Sequence, residues 1–209
     1  DENTYKTEFL ADFVSTGSRA AYNFDRKIHV KHAEELTANL WFGMDMNVDY
    51  MTSVLGCSYS DGTIHYFDEI RLSNSNTDEM AKMMKKIAPG ISVYPDATGS
   101  ARSTTSNKSD HPILRDHGFN VISKKANPPI IDRINALNRM LMDANGKVRM
   151  TVDPKCTYLI KDLEQVQRSR DGKIEKVKDI SLTHAFDACS YYIAMKHPVV
   201  QRLAQSSQW

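Results

Sequence analysis

Three aspartates lie in segments that otherwise carry the apolar residues of a protein core. Asp45 interrupts a strand-like apolar run, Asp96 ends another, and Asp187 lies in an apolar stretch that is typical of a buried helix. Aspartate is depleted in strands and is rarely fully buried unless it is paired or bound to a metal ion. Three such residues on three core segments predict one shared cation, and a hard divalent ion with oxygen ligands is the natural candidate.

Each aspartate taken alone also has a structural explanation. Asp96 at the end of a strand can act only as a turn former, and Asp187 can lie at the exposed edge of a helix. Asp45 is the hardest to explain in this way, because the residues on both sides of it are apolar. The three together favour a metal site more strongly than any one of them does.

The spacing of apolar residues and turn signals predicts an α/β fold with a mixed sheet. Strands are predicted at 40–47, 50–59, 63–70, 91–96, 120–123 and 147–152, and helices at 77–87, 111–118, 128–143, 156–165 and from a cap at Ser181 or Thr183 to 196. A hairpin turn is expected at 60–62, and Asn76 with Glu79 predicts a capping box. Because a helix precedes the fourth strand, that strand is expected to run parallel to the first.

The composition favours one domain with flanking segments. A chain of 209 residues, 41% of them hydrophobic, is long enough to form one domain with a sizeable core. We predict a linker at 1–39 with a short helix at 5–14, a globular domain at 40–198 and a flexible tail at 199–209. No apolar stretch approaches about 18 residues, so no membrane span is expected. The chain begins with Asp rather than Met, and we expect it to be a fragment of a longer protein.

The charges nearly balance, with 27 basic and 26 acidic residues, so binding to nucleic acid would require basic residues gathered on one face. Candidate phosphate contacts fall into four groups. Two groups lie in a Ser/Thr-rich loop at 99–110 (Arg102, Lys108) and after the fifth strand (Lys124, Lys125). The other two lie on the helix at 128–143 (Arg133, Arg139) and on or just after a charged β-hairpin predicted at 168–176 (Arg168, Arg170, Lys173, Lys176, Lys178). Such residues can neutralise phosphates without reading bases. They can equally be ordinary solvated surface charge.

The sequence around the three aspartates resembles the C-terminal nuclease domain of the large terminase subunit of tailed bacteriophages. Gly43-Met44-Asp45 matches a Gly-x-Asp strand motif, and Asp96-Ala97-Thr98-Gly99 matches an Asp followed by a small residue, a hydroxyl and Gly. Asp187-Ala188-Cys189-Ser190-Tyr191 matches an Asp-Ala-x-x-Tyr helix motif. The resemblance covers roughly residues 40–198, extends upstream to Tyr22-Asn23-Phe24-Asp25, and is strongest to terminases of short-tailed phages that package by the headful.

The resemblance implies a ribonuclease H-like fold, an α/β architecture with a central mixed sheet flanked by helices. It implies an endonuclease that cuts concatemeric double-stranded viral DNA during genome packaging, with little sequence specificity, by two-metal hydrolysis with Mg²⁺ or Mn²⁺. Asp45, Asp96 and Asp187 would be the catalytic metal ligands, with Asp45 bridging the two ions. Ala188 stands where some members carry a second acid. His184, one helical turn before Asp187, is either a further ligand or a satisfied core histidine.

The same resemblance implies partners outside this chain. They are an N-terminal ATPase domain joined through residues 1–39, the small terminase subunit and the portal, in the host cell cytoplasm during virus assembly rather than in the virion. No Gly-x-x-x-x-Gly-Lys-Ser/Thr motif is present, so ATP hydrolysis is not expected of this chain. Two other functions stay open: a ribonuclease H-like resolvase or integrase, and a catalytically silent portal-docking module whose acids are structural.

Overall fold

The structure is a computed structural model that describes residues 19–100, 109–169, 173–175 and 179–199. Within those residues a six-stranded mixed sheet has the order β5-β4-β1-β2-β3-β6. The strands are β1 (Leu40–Asp45), β2 (Tyr50–Ser58), β3 (Ile64–Ser73), β4 (Ser92–Pro95), β5 (Asn120–Val121) and β6 (Met150–Val152). β2 is antiparallel to β1 and β3, whereas β4 is parallel to β1, β5 to β4 and β6 to β3. The predicted mixed sheet, and the parallel pairing of its first and fourth strands, are confirmed.

Six helices cover the sheet in the described part of the chain. They are α1 (Arg26–His29), α2 (Thr77–Ile87), α3 (Asp110–Asp116), α4 (Ile130–Leu141), α5 (Thr157–Gln165) and α6 (His184–Lys196), with a 3₁₀ turn at Ala97–Ser100. The predicted helices of the domain are present, with ends that differ by a few residues. None of the described helices is long and apolar enough to cross a membrane.

The capping box predicted for α2 forms only in part. The Asn76 side chain accepts a 3.0 Å hydrogen bond from the Glu79 backbone N–H, as an N-cap should. The Glu79 carboxylate accepts instead from the hydroxyl of Ser75 at 2.6 Å. The cap therefore satisfies one backbone N–H of the first turn, and the Glu79 carboxylate bonds Ser75 rather than the backbone N–H of Asn76.

The sheet separates two apolar clusters. Successive residues of a strand point to opposite faces, so Trp41 packs with α4, α5 and α6 while Phe42 and Met44 pack with α2 and α3. Gly43 faces α6, and a Cβ at this position would overlap the carbonyl oxygen of Ala188. The missing side chain lets α6 lie directly on β1. Because Asp45 is two residues further along β1, it points to the same face, toward the first turn of α6.

Part of the predicted linker packs against the domain. Ala20, Ala21 and Phe24 are buried in the cluster beneath α4 to α6. The backbone N–H of Asn23 donates to the Asn138 side chain on α4 at 2.9 Å. The connection of residues 1–39 to an ATPase domain stays a prediction, and the helix expected at 5–14 lies outside the described residues.

Candidate active site

Asp45 ends β1 in the middle of the sheet and is only 6% exposed. Its Oδ2 lies 2.8 Å from Nδ1 of His184, the first residue of α6. His184 Nε2 lies 3.0 Å from the carbonyl oxygen of Ile180. Both ring nitrogens therefore face acceptors, and only the doubly protonated imidazolium can donate to both of them.

The electrostatics of this pair follow from its burial. Burial raises the pKa of Asp45 to about 6, against the hydrogen bond from His184, which lowers it. Burial lowers the pKa of His184, but the hydrogen bond and charge of Asp45 outweigh burial and the net pKa is raised. The hydrogen bond between them thus favours the charged form of each partner, the Asp45 carboxylate and the His184 imidazolium. Of the two roles open to His184, the satisfied histidine is the one its contacts match, and a ligand role would require it to give up a partner.

Asp96 follows β4 and is held by several hydrogen bonds. Its Oδ1 accepts from the backbone N–H and the hydroxyl of Thr98, both at 2.7 Å, and from Nδ2 of Asn127 at 2.8 Å. Its Oδ2 accepts from the hydroxyl of Tyr191 on α6 at 2.9 Å. Burial raises the pKa of Asp96, but these bonds outweigh it and the net pKa is lowered. Asp96 thus forms a turn and also faces α6, and Thr98 is the motif hydroxyl that holds it.

Asp187 lies in the first turn of α6 and is paired with Arg133 of α4. Arg133 Nη1 donates to Asp187 Oδ1 at 2.6 Å and to the Ser190 hydroxyl at 2.8 Å. Burial raises the pKa of Asp187, and the charge of Arg133 opposes that rise. Arg133 borders the site as expected, but it is 7% exposed and turned toward Asp187, so its predicted availability to phosphates is wrong in the state described.

The three aspartates, called the carboxylate cluster from here on, interact electrostatically. The charges of Asp187 and Asp96 both raise the pKa of Asp45. Among the described residues, however, no group of three or more His, Cys, Asp or Glu side chains is arranged to hold one metal ion. Each carboxylate has a protein partner instead. An all-oxygen donor set suits Mg²⁺ or Mn²⁺, so the residues fit such an ion in type, and their side chains would have to turn to share it.

Asp162 of α5 is a site residue that sequence reasoning missed. Its Oδ2 accepts from the backbone N–H groups of Ala185 at 2.9 Å and Phe186 at 3.0 Å, in the first turn of α6. Thr183 stands at the N-cap position in a left-handed conformation, with φ 84°, and makes no side-chain cap bond. The predicted N-cap position at Thr183 is therefore confirmed, but its side chain does not cap the helix, and the carboxylate of Asp162 accepts from the first turn instead. The sequence signal that could have identified Asp162 is its place on the apolar face of α5, among Leu159, Ile160 and Leu163.

Arg71 of β3 is a second residue that sequence reasoning did not select. Its guanidinium carbon lies 4.5 Å from the ring centre of Tyr50 and 4.7 Å from that of Tyr158. It also donates to the carbonyl oxygen of Ser181. Arg71 thereby holds the segment that leads into α6 against β3, and this contact helps to position Asp187 on that helix.

The basic candidates are placed unevenly. Lys124 and Lys125 are exposed on the loop that leads to Asn127, the amide that holds Asp96. The arms of the predicted hairpin pair through an antiparallel bridge between Arg168 and Ile174, and the Arg168 guanidinium lies 5.1 Å from the Tyr22 ring centre. Lys173 is exposed on the second arm of the hairpin. Arg139, on α4, donates to the carbonyl oxygens of His197 and Pro198. Arg102, Lys108, Arg170, Lys176 and Lys178 lie outside the described residues.

Comparison with known families gives one match to a family model. The model of the Terminase RNaseH-like domain matches residues 42–196. No curated protein sequence matches the chain significantly.

Solved structures with the same fold are large terminase proteins. The P22 large terminase nuclease domain aligns with a TM-score of 0.66 at 15% identity, over 85% of this chain and 93% of that one. A large terminase from a thermophilic bacteriophage, solved in complex with ADP, gives a TM-score of 0.66 at 16% identity over 86% of this chain, which spans only 45% of that protein. The large terminase nuclease of thermophilic phage G20c, with bound magnesium, gives 0.54 at 13% identity, over 85% and 96%.

Proposed function

Because the chain belongs to the Terminase RNaseH-like domain family, we propose that it is a metal-dependent endonuclease that cuts concatemeric double-stranded viral DNA during genome packaging. The observation that carries this proposal is the convergence of Asp45, Asp96 and Asp187 from β1, the end of β4 and α6. Asp45 is buried at the centre, whereas Asp96 and Asp187 are partly exposed. A cation and a phosphate therefore have access from the side of those two residues.

Hydrolysis of a phosphodiester needs a nucleophile and neutralisation of developing charge. Divalent cations supply an activated water and positive charge when they are bound, and we propose two such ions, Mg²⁺ or Mn²⁺, held by the carboxylate cluster. Asp45 would be the central ligand of the cluster, because its strand pairs with β4 on one side and lies directly under α6. Asn127 and Tyr191 orient the Asp96 carboxylate by their hydrogen bonds.

We propose that basic residues of this chain hold the DNA backbone. The candidates are Lys124, Lys125, Arg102, Lys108, Arg168, Arg170 and Lys173. Lys124 and Lys125 have the most direct support, because their loop also carries Asn127, which is bonded to Asp96. Contacts to phosphates carry no sequence information, which accords with cutting of low sequence specificity.

We further propose that the chain works within a larger packaging subunit, next to an N-terminal ATPase domain and with the small terminase subunit and the portal as partners. The chain spans 45% of the large terminase that was solved with ADP. The site of action would be the host cell cytoplasm during virus assembly.

The nuclease activity is tested by incubating the purified chain with supercoiled plasmid in Mg²⁺ or Mn²⁺, without ATP. We expect nicked, linear and then shorter products from plasmids of unrelated sequence, and none when a chelator replaces the metal. Cleavage confined to four-way junctions would favour the resolvase alternative. Intact plasmid with every metal would favour the portal-docking module.

The DNA interface is tested with the double variant Lys124→Ala, Lys125→Ala, measured by duplex binding in chelator at several salt concentrations. Two lost phosphate contacts are expected to reduce the slope of log K against log salt by about 1 to 2. The matched control is Lys85→Ala, Lys86→Ala, two adjacent exposed lysines in the last turn of α2, on the opposite face of the sheet. A slope that changes equally in both pairs, or in neither, would place the loop away from DNA.

A further inference from the structure

Arg133 is a buried cation in direct contact with a proposed metal ligand. Its Nη1 donates to Asp187 at 2.6 Å, and the residue is 7% exposed. A guanidinium keeps its charge in proteins, so this positive charge is permanent. Its Nε is also buried and has no hydrogen-bond partner among the described residues. A purely structural arginine would be expected to use that donor, so the pairing is not explained by hydrogen-bond satisfaction alone.

The same side chain reaches a second ligand indirectly. The Arg133 guanidinium lies over the ring of Tyr191, 4.7 Å from its centre, and the Tyr191 hydroxyl donates to Asp96 at 2.9 Å. Arg133 also donates to the Ser190 hydroxyl at 2.8 Å. It therefore occupies the space between α4 and α6 on the side of the cluster where Asp187 lies.

Of the three carboxylates, Asp187 is the one that faces a permanent cation, the guanidinium of Arg133. Asp96 is the member whose partners are all neutral: Thr98, Asn127 and Tyr191. An ion at Asp187 would have to enter beside the guanidinium of Arg133, whose Nη1 lies 2.6 Å from that carboxylate, whereas among the described residues no cationic side chain is bonded to Asp96. A guanidinium and a divalent cation bound to the same carboxylate repel each other strongly in a partly buried site.

We propose that Arg133 takes the place of one cation at Asp187, so that the DNA-free protein binds a single divalent ion through Asp45 and Asp96. A second ion enters only when the guanidinium leaves Asp187. This inference rests on the proposed metal-dependent function and makes Arg133 a positioning residue that sets metal stoichiometry.

The test is a Mn²⁺ titration without DNA, followed by the electron paramagnetic resonance signal of free Mn²⁺, which counts ions per chain. We expect one ion for the wild type, two for Arg133→Met, and one for Arg133→Lys, which keeps the charge. Arg139→Met is the matched control: it lies on the same helix, but its guanidinium donates to the carbonyl oxygens of His197 and Pro198, so one ion is expected. Two ions in the wild type, or one in a folded Arg133→Met, would overturn the inference.

A second variant keeps the test decisive if Arg133→Met does not fold. Asp187→Asn should still bind one Mn²⁺ ion, because the resident ion is assigned to Asp45 and Asp96. Loss of that ion in Asp187→Asn would overturn the inference. A wild type that cleaves plasmid with metal but binds two ions contradicts only the role of Arg133. A wild type that neither binds Mn²⁺ nor cleaves contradicts the proposed function itself.

Discussion

Asp45→Asn is expected to lower the rate of metal-dependent plasmid cleavage by more than about 100-fold. Loss of a residue that only supports a metal ligand already costs about 10 to 100-fold in affinity or activity, and loss of the ligand itself should cost more. Asn keeps the shape of the side chain, so the change removes the charge without opening a cavity. Asp96→Asn and Asp187→Asn are expected to behave in the same way, because each removes one carboxylate from the cluster.

The matched control is Asp49→Asn, an exposed acid in the turn after β1, which should cleave at the wild-type rate. Thermal melts of all four variants establish that they are folded. Cleavage within about 10-fold of the wild-type rate by any variant of the cluster would remove that residue from the catalytic site. If all three variants remained active, the cluster would be structural and the nuclease centre would have to lie elsewhere.

The parts of the site that the sequence predicts are those encoded over a few residues. Gly43 and Asp45 lie two positions apart on one strand and so point to the same face of the sheet. The glycine that lets α6 approach closely and the carboxylate next to that helix therefore occur in one short sequence motif. Asp96 and Thr98 form their turn within three residues. A pattern of this length reports the backbone and the nearest side chains, and here those were enough to select the carboxylates.

The partners of the carboxylates could not be predicted in this way, because the chain brings them from far away. Arg133 is 54 residues from Asp187, and Asn127 is 31 residues from Asp96. An arginine in an amphipathic helix is expected on the exposed face, and only the packing of α4 on α6 shows that Arg133 is buried. The sequence therefore predicts where negative charge collects, but not which groups of the protein offset it.

The cap of α6 is a second case in which a distant residue replaced a local one. Ser181 and Thr183 have the right chemistry and position for an N-cap. The left-handed backbone at Thr183 turns the chain so that the first N–H groups of α6 face α5, where Asp162 accepts from two of them. Asp162 is 1% exposed, and its Oδ1 has no hydrogen-bond partner among the described residues. A full negative charge is thus buried to hold the helix that carries Asp187.

This buried charge predicts how stability depends on pH. Burial raises the pKa of Asp162 from 3.8 to about 6, against the backbone hydrogen bonds from Phe186 and Ala185, which lower it. The folded protein therefore holds this proton more tightly than the unfolded chain does. The free energy of unfolding should fall as pH rises from about 4 to about 6 and level off above, and this single group accounts for a fall of about 3 kcal/mol.

Asp162→Asn is expected to remove that contribution while keeping an oxygen that accepts from the same two N–H groups. At pH 7 the variant should be more stable than the wild type by up to about 3 kcal/mol, and near pH 4 the two should be equal. Urea unfolding between pH 4 and 7, in chelator, measures both. Asp143→Asn is a control of opposite sign, because backbone hydrogen bonds from Lys147 and Asn145 lower the pKa of Asp143. That variant should lose stability at neutral pH and regain parity as the solution is acidified.

The contrary result would identify a different balance of forces at the start of α6. A carboxylate at a helix N-terminus is favoured by the helix dipole, by up to about 2 kcal/mol in partly buried geometries. If Asp162→Asn is less stable than the wild type throughout this pH range, attraction to the helix N-terminus outweighs the cost of burying the charge. The pKa of Asp162 would then be lowered rather than raised, and the wild type would become more stable as pH rises from 4 to 6.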